Sequence, residues 1–193
     1  MDWTGISLKT APAVEPVTAQ EMREFLSLVG TEDDTLLAGL ISAARTALEK
    51  YTGRTFITTV YQVYYDGFSF LPITLARPPV QSVSSITYVD VDGVTQTLSS
   101  SLYIVDVASL FGRISPAYDE VWPITREQNN AVCIEIKTGY GDAAASVPAS
   151  IKVAIKMIVA DVYEHREANV ELALSENKSL KFLLSPYTIP GVA

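Results

Sequence analysis

Apolar residues recur at spacings of three and four between residues 31 and 54, which predicts a long amphipathic α-helix. The apolar stripe consists of Leu37, Leu40, Ile41, Ala44, Leu48 and Tyr51. Thr31 and Asp34 have the spacing of a capping box, so we expect the helix to begin beside them. Gly53 is expected to end the helix, because glycine takes the left-handed conformation without steric cost.

A shorter helix is predicted just before it, over residues 18–29. Thr18 and Glu21 have the spacing of a capping box, and Val17 and Met22 that of a hydrophobic staple. Gly30 is expected to end this helix, so residues 17–54 form a tight helical hairpin.

A third helix is predicted over residues 146–167, with Pro148 in the first turn. Its apolar residues cover most faces, so we expect it to be buried on most sides and to pack against the first long helix. A polar, acidic connection over residues 168–177 leads to a short helix over residues 178–184.

Between residues 55 and 140 the hydrophobic period changes from helical to two, which is typical of strands. The segments predicted as strands are 57–65, 71–76, 83–91, 94–98, 103–107, 112–115 and 132–137. Asp92-Gly93 is a strong hairpin signal between two of them. We expect an antiparallel meander or small barrel inserted between the helices. The predicted fold class is therefore α+β, a bundle of about four helices with an antiparallel β module, in a single domain spanning 1–193.

The two ends of the chain lack this regularity. Residues 1–16 contain Pro12 and Pro16 and no period, so they are predicted to form an extended arm. Disorder or loose packing is favoured there over a partner contact. Residues 168–193 end in an apolar tail with no evident partner elsewhere in the sequence.

Composition narrows the possible functions. The formal net charge of −8 over 193 residues argues against binding nucleic acid by phosphate neutralisation. Residues 1–10 do not resemble a signal peptide, and Lys152 and Lys156 interrupt the longest apolar run, so no membrane span is expected. The single cysteine, Cys133, excludes an intrachain disulfide and fits a reducing compartment or a particle assembled in the cytoplasm. An apolar content of 48% favours surface that is buried between subunits.

Residues that could support catalysis have simpler explanations. His165 is the only histidine, and Asp161 four residues before it could share a metal site, but a surface pair at this helical spacing is the favoured interpretation. Cys133 lies between Val132 and Ile134 with no neighbouring base, which favours a buried core thiol over a nucleophile.

Three other patterns also favour structural roles. Glu32-Asp33-Asp34 could bind a cation, but helix capping explains these residues. Gly139 and Gly141 lack the rest of a phosphate-binding motif, so a tight turn is favoured. The tyrosines could stack on bases, but no Arg or Lys is interleaved with them, so packing or a protein interface is favoured. These tyrosines are residues 61, 64, 65, 88 and 103. The residues therefore predict an interaction protein without a catalytic site, metal or cofactor.

The order and spacing of several segments resemble the head–tail connector (adaptor) proteins of long-tailed bacteriophages, prophages and gene transfer agents. The segments that carry the resemblance are 15–26, 33–54, 77–93, 134–141, 147–167 and 183–187. None is chemically diagnostic by itself, and the specificity lies in their combination.

The resemblance implies a structural protein of the virion neck, assembled in the host cytoplasm. Copies would form a ring, usually of twelve, that lies under the portal protein and extends the DNA channel. DNA would pass without sequence-specific binding, and the far side of the ring would receive the stopper or tail-completion protein. The tail residues Tyr187, Ile189 and Val192 are candidates for binding the portal. The alternative is a neck or tail-completion protein of the stopper type; an enzyme built on Asp161 and His165 ranks third.

Overall fold

A computed structural model describes residues 3–69, 72–165 and 178–189, and the chain folds into two compact units. The β unit contains Thr58–Tyr140 and the described residues up to Pro12, and the helical unit contains Ala13–Ile57 and the described residues from Gly141 onward. The helices are α1 (Ala19–Leu26), α2 (Asp34–Thr52), α3 (Ala149–Glu164) and α4 (Lys178–Leu184). The strands are β1 (Gly5–Thr10), β2 (Thr59–Tyr65), β3 (Ile73–Thr74), β4 (Val80–Val89), β5 (Thr95–Thr97), β6 (Tyr103–Asp106), β7 (Arg113–Pro116) and β8 (Val132–Thr138). The predicted α+β class is therefore confirmed; the single-domain assignment stays a prediction.

The β unit holds two antiparallel sheets. One has five strands in the order β1-β2-β8-β4-β5, and the other has three in the order β3-β7-β6. The predicted meander is wrong, because β8 comes last along the chain yet lies between β2 and β4. The predicted hairpin is present: β4 and β5 pair across the Asp92-Gly93 turn, where Gly93 has φ of 87°.

Alternation along β8 builds the core of the β unit. Val132, Ile134 and Ile136 are buried on one face, while the intervening residues are half-buried on the other. Ile134 lies opposite Val63 on β2 and Ile86 on β4, and both partners are fully buried. The half-buried strand predicted here is confirmed.

The N-terminal arm is more ordered than its sequence indicates. Residues 5–10 form β1, an edge strand in register with β2 from Gly5 opposite Tyr64 to Leu8 opposite Tyr61. The prediction of disorder or loose packing is therefore wrong for these residues. Their alternation is too short to detect locally, and they gain order from a partner strand far along the chain.

In the helical unit, α2 packs against α1 and α3, and α3 also packs against α4. The capping box of α1 is present: the Glu21 amide donates to Thr18 Oγ1 at 3.1 Å, and the Thr18 amide donates to Glu21 Oε2 at 2.8 Å. Lys152 on α3 donates to the other carboxylate oxygen at 3.0 Å. Burial works to raise the pKa of Glu21, but these hydrogen bonds outweigh it, and the pKa lies below its ordinary 4.5. This stabilisation is present above pH 4.5 and is lost as the pH falls through the lowered folded-state pKa.

Thr18→Ala is expected to lower the free energy of unfolding of the helical unit by about 1 kcal/mol, because it leaves a helical N–H without its acceptor. Urea unfolding followed by far-UV circular dichroism measures the loss. Thr46→Ala, which removes an exposed threonine in the middle of α2, serves as control and should change stability by less than about 0.5 kcal/mol. Equal losses in the two variants would contradict the role of the cap.

The predicted end of α1 and the predicted cap of α2 are wrong. α1 ends at Leu26 because Ser27 takes the left-handed conformation, with φ of 56°, and the helix does not reach Gly30. α2 starts after Asp33 with no side-chain cap, so the capping box predicted at Thr31 and Asp34 is absent. The Asp34 carboxylate instead accepts from Arg23 of α1 at 2.5 Å. Gly53 ends α2 as predicted, with φ of 71°.

The third helix is buried less completely than predicted. Ile151, Ile155 and Ile158 are buried on one face of α3, but Val153 is 41% exposed and Val162 is half-buried. One side of α3 therefore faces solvent in the single chain.

A charged cluster lies inside the helical unit. Arg45 donates from Nε to Glu15 at 2.7 Å and from one terminal nitrogen to Glu49 at 2.9 Å. Glu49 also accepts from the Phe56 amide at 2.8 Å. Burial works to lower the pKa of Arg45, but Glu15 and Glu49 outweigh it and raise the pKa, so Arg45 stays charged. The cluster fixes residue 15 and the end of α2 in one arrangement.

Candidate interaction surfaces

The predicted catalytic and metal candidates do not form a site. His165 Nδ1 lies 3.4 Å from an Asp161 carboxylate oxygen, and both side chains are exposed on the last turn of α3. This is the surface pair that the spacing favours. Among the described residues, no group of three or more His, Cys, Asp or Glu side chains could hold a metal ion.

The surroundings of the single thiol do not activate it. Cys133 is half-buried on the β8 face opposite Ile134, so it is less buried than the predicted core thiol. Burial and the nearby charge of Glu135 raise the pKa of Cys133. The thiol is therefore protonated at neutral pH and is a weak nucleophile.

Two residues of the acidic run and one of the predicted tyrosines have structural partners. Asp33 accepts a hydrogen bond from the Tyr163 hydroxyl, and Asp34 pairs with Arg23. Tyr65 is buried and its hydroxyl donates to the Thr74 carbonyl at 3.2 Å. The contacts of Asp33, Asp34 and Tyr65 are those of structural residues, as the sequence analysis favours.

The segment after α4 is attached to the end of α2. The Ile189 amide donates to the Thr52 carbonyl at 3.1 Å, and Arg54 Nε donates to the Tyr187 carbonyl at 2.6 Å. The Ile189 side chain is buried. The expectation that this tail lacks internal partners is therefore wrong for residues 187 and 189, whose partners lie far away in sequence. Val192 lies outside the described residues, and portal binding by the three residues stays a prediction.

A loop that the sequence analysis did not identify carries the most exposed large hydrophobic residues of the described β unit. This apolar loop, residues 117–125, follows β7. Tyr118 is 97% exposed, Val121 83% and Ile124 79%. The signal was available as a run of aromatic and branched residues without strand or helix period, interrupted by Pro123. Fixed and exposed apolar residues of this kind mark contacts with other proteins.

The apolar loop is held in place despite its exposure. The Trp122 ring stacks on Phe68, with 4.7 Å between centroids and 8° between planes, and Phe68 meets Tyr88 edge to face at 5.8 Å. Backbone bonds join the Ala117 amide to the Leu102 carbonyl and the Arg126 amide to the Val89 carbonyl, both at 3.0 Å. The loop therefore presents its apolar side chains in one conformation.

The second apolar surface is a hollow of about 180 Å³ between α2 and α3 in the helical unit. We call it the helix groove; its lining residues are Leu40, Ala43, Ala44, Ala47, Ile158, Val159 and Val162. Small residues on α2 make the groove, because alanine leaves space beside the larger side chains of α3.

The exposed face of α2 beside this groove carries no charge before its last turn. The exposed residues are Thr35, Leu36, Ala38, Gly39, Ala43, Thr46 and Ala47. A helix face that meets only water normally carries charged residues, so this composition indicates a surface that another protein covers. Lys50, one turn beyond Ala47, is the first exposed charge on this face.

These features define a class of protein. The described surfaces of the chain offer ordered apolar contacts, and the catalytic and metal candidates among the described residues do not form a site. This combination is expected of a structural component of an assembly. Among the described residues, no helix is long and apolar enough to cross a membrane.

Comparison with known proteins identifies the family. The model of the head completion protein family matches residues 15–173, so the chain belongs to this family. It is a structural protein of the virion neck and not an enzyme. The predicted location, the prediction that the chain is not an enzyme, and the resemblance stated in the sequence analysis are therefore confirmed.

Solved structures with the same fold come from gene transfer agent (GTA) particles. A chain of the neck of an empty GTA particle, computed with C6 symmetry, is 21% identical with a TM-score of 0.79 and covers 98% of this chain and 100% of its own length. A chain of the virion of a native GTA particle is 20% identical with a TM-score of 0.78, covering 97% and 99%. A chain of the native GTA neck, computed with C12 symmetry, is 20% identical with a TM-score of 0.72, covering 97% and 100%. No curated protein matches the chain.

Proposed function

We propose that this chain is a head–tail adaptor whose copies form a ring beneath the portal, extend the DNA channel and receive the stopper or tail. The observation that carries the proposal is the full-length similarity in fold to neck chains of particles computed with C6 and C12 symmetry. A closed ring needs two different contact surfaces on every copy. The apolar loop and the helix groove supply two such surfaces. In this proposal the helical unit acts as a bundle that supplies the groove side of each contact with a neighbour and the contact with the portal.

The charge of the chain supports a channel that DNA slides through. Twelve copies, as in C12 symmetry, at a formal charge of −8 each would carry about −96. Such a wall repels phosphate and does not release counterions on contact, so DNA would pass without being held.

The segment after α4 is the part that we propose binds the portal. Ile189 and Thr52 anchor its start to α2, and we propose that Tyr187 and Val192 contact the portal from this anchored position. Anchoring lowers the entropic cost of docking, because the start of the segment is already ordered.

Deleting residues 190–193 together with Tyr187→Ala is expected to weaken binding to the portal ring by about tenfold or more, since it removes the proposed contacts. Ile189 is retained, so the helical unit keeps its buried side chain and its melting curve. Phe182→Ala, which removes another exposed aromatic residue of this region, serves as the matched control and should bind normally. Co-sedimentation with purified portal rings measures the effect. Unchanged binding would contradict this portal contact.

A deletion of the gene distinguishes the adaptor from the stopper. Without an adaptor, DNA-containing heads should retain the portal but lack the stopper, because the surface that receives the stopper is missing. Without a stopper, the heads should retain a ring of adaptor. Mass spectrometry of purified heads therefore decides between the proposed role and the alternative of a stopper-type neck or tail-completion protein.

A further inference from the structure

We infer that neighbouring copies contact each other by seating the apolar loop of one copy in the helix groove of the next. This inference rests on the proposed ring and specifies which surfaces close it. The contact is heterologous, because a loop on the β unit meets a groove on the helical unit of another copy.

The loop has the properties of a docking element. Its three exposed residues, Tyr118, Val121 and Ile124, are large and apolar, whereas the stacked Trp122 side chain fixes the backbone beneath them. Because the loop is ordered before contact, binding costs little additional conformational entropy. Tyrosine adds apolar area with few rotatable bonds, which makes it frequent at interface centres.

The groove has the complementary properties. It is a concave apolar surface made by Ala43 and Ala47 beside Ile158 and Val162. An added Cβ at Gly39, one turn before Ala43, would meet no atom within 4 Å, so the described residues leave the α2 surface beside the groove uncovered at this position. One or two branched side chains from outside would fill it without moving either helix.

Charge favours a second copy as the occupant. The loop carries two carboxylates, Asp119 and Glu120, next to Val121. The exposed α2 side of the groove carries none in its middle, and Lys50 follows at its end. The loop can thus place Val121 in the groove with Glu120 near Lys50, an arrangement that also fixes the direction of the contact. Every copy contributes one loop and one groove, so the contact repeats around a cyclic ring and leaves neither surface unpaired.

Two single-cysteine variants test the contact directly. Both are made in a Cys133→Ser background, one with Val121→Cys in the loop and one with Ala43→Cys in the groove. The variants are mixed at high protein concentration and treated with a short bis-maleimide. We expect covalent dimers in the mixture at about ten times the yield obtained with either variant alone, because each alone lacks one of the two thiols. The matched control pairs Val121→Cys with Thr95→Cys on the exposed strand β5 and should give no dimers.

The outcomes separate this inference from the proposed function. Cross-linking in the mixture supports the loop-in-groove contact. Dimers from Val121→Cys alone would show that two loops meet and would overturn it, as would a mixture no more reactive than its components. In either of these cases a ring observed on the portal would still support the adaptor role, with different contacts.

Charge exchange gives an independent test that needs no cysteine. Lys50→Glu and Glu120→Lys are each expected to weaken self-association by about threefold to tenfold at low salt, and the double variant should recover most of it. Additive losses without recovery would place these two charges apart and contradict the proposed orientation.

Discussion

Arg45→Ala is expected to lower the free energy of unfolding of the helical unit by about 3 kcal/mol, because removing one partner of a buried ion pair leaves the other charge buried and uncompensated. The stranded group is Glu49, which is almost fully buried and whose other oxygen is held by the Phe56 amide at 2.8 Å. Glu49 therefore cannot turn outward to water. Urea unfolding followed by far-UV circular dichroism measures the loss, because all four described helices lie in the helical unit.

A double variant provides the control. Arg45→Met with Glu49→Gln removes both charges and keeps an amide oxygen to accept from Phe56. Glu15 is partly exposed and can be hydrated once Arg45 is absent. The double variant should be more stable than Arg45→Met alone by about 1 to 2 kcal/mol, because both keep an apolar stem at residue 45 and only the single variant strands the charge of Glu49. A double variant no more stable than Arg45→Met would contradict the claim that the stranded charge of Glu49 dominates the loss.

Ile134→Ala is expected to lower the free energy of unfolding of the β unit by about 3 to 4 kcal/mol, because it opens a cavity in the middle of the central strand. Ile134 is fully buried and lies between Val63 and Ile86 on the two neighbouring strands. Both tryptophans, Trp3 and Trp122, belong to the β unit. Tryptophan fluorescence during urea unfolding therefore reports this unit separately from the helices.

The adjacent residue of β8 is the matched control. Cys133→Ala truncates a side chain on the opposite, half-buried face and should cost less than about 1 kcal/mol. If the two variants lost equal stability, the burial of alternate faces would not explain the core of this sheet.

Features that depend on neighbours in sequence were predictable. The capping box at Thr18 and Glu21 uses residues three apart, and Gly53 stops α2 through its own backbone conformation. The Asp92-Gly93 turn and the alternation along β8 are equally local. In each case the interactions that stabilise the local conformation involve only residues close in sequence, so the sequence pattern predicts the feature directly.

Features that depend on distant partners were not predictable. β1 forms because Gly5 to Leu8 pair with β2, more than fifty residues away. β8 pairs with β2 and with β4, although both strands lie far from it in sequence. Asp34 pairs with Arg23 instead of forming the predicted cap, since the packing of α1 against α2 brings a guanidinium to it. Tertiary contacts overrode the local signals in these cases.

The functional predictions also divide into local features, which the sequence predicted, and features set by distant residues, which it did not. The interpretation of the chain as an interaction protein and not an enzyme, which the favoured structural roles of His165 and Cys133 support, is confirmed by its family. It did not indicate that Ile189 packs at the end of α2, nor that the residues after β7 form a fixed apolar loop stacked on Phe68. Both depend on where the fold places distant residues.

The most direct test of the adaptor proposal is the solution mass of the purified chain by light scattering, alone and mixed with the portal ring of its particle. The proposal predicts either a ring whose mass is an integral multiple of 21.0 kDa, or a monomer that joins the portal in ring stoichiometry. A 21.0 kDa monomer that leaves the mass of the portal unchanged would contradict it.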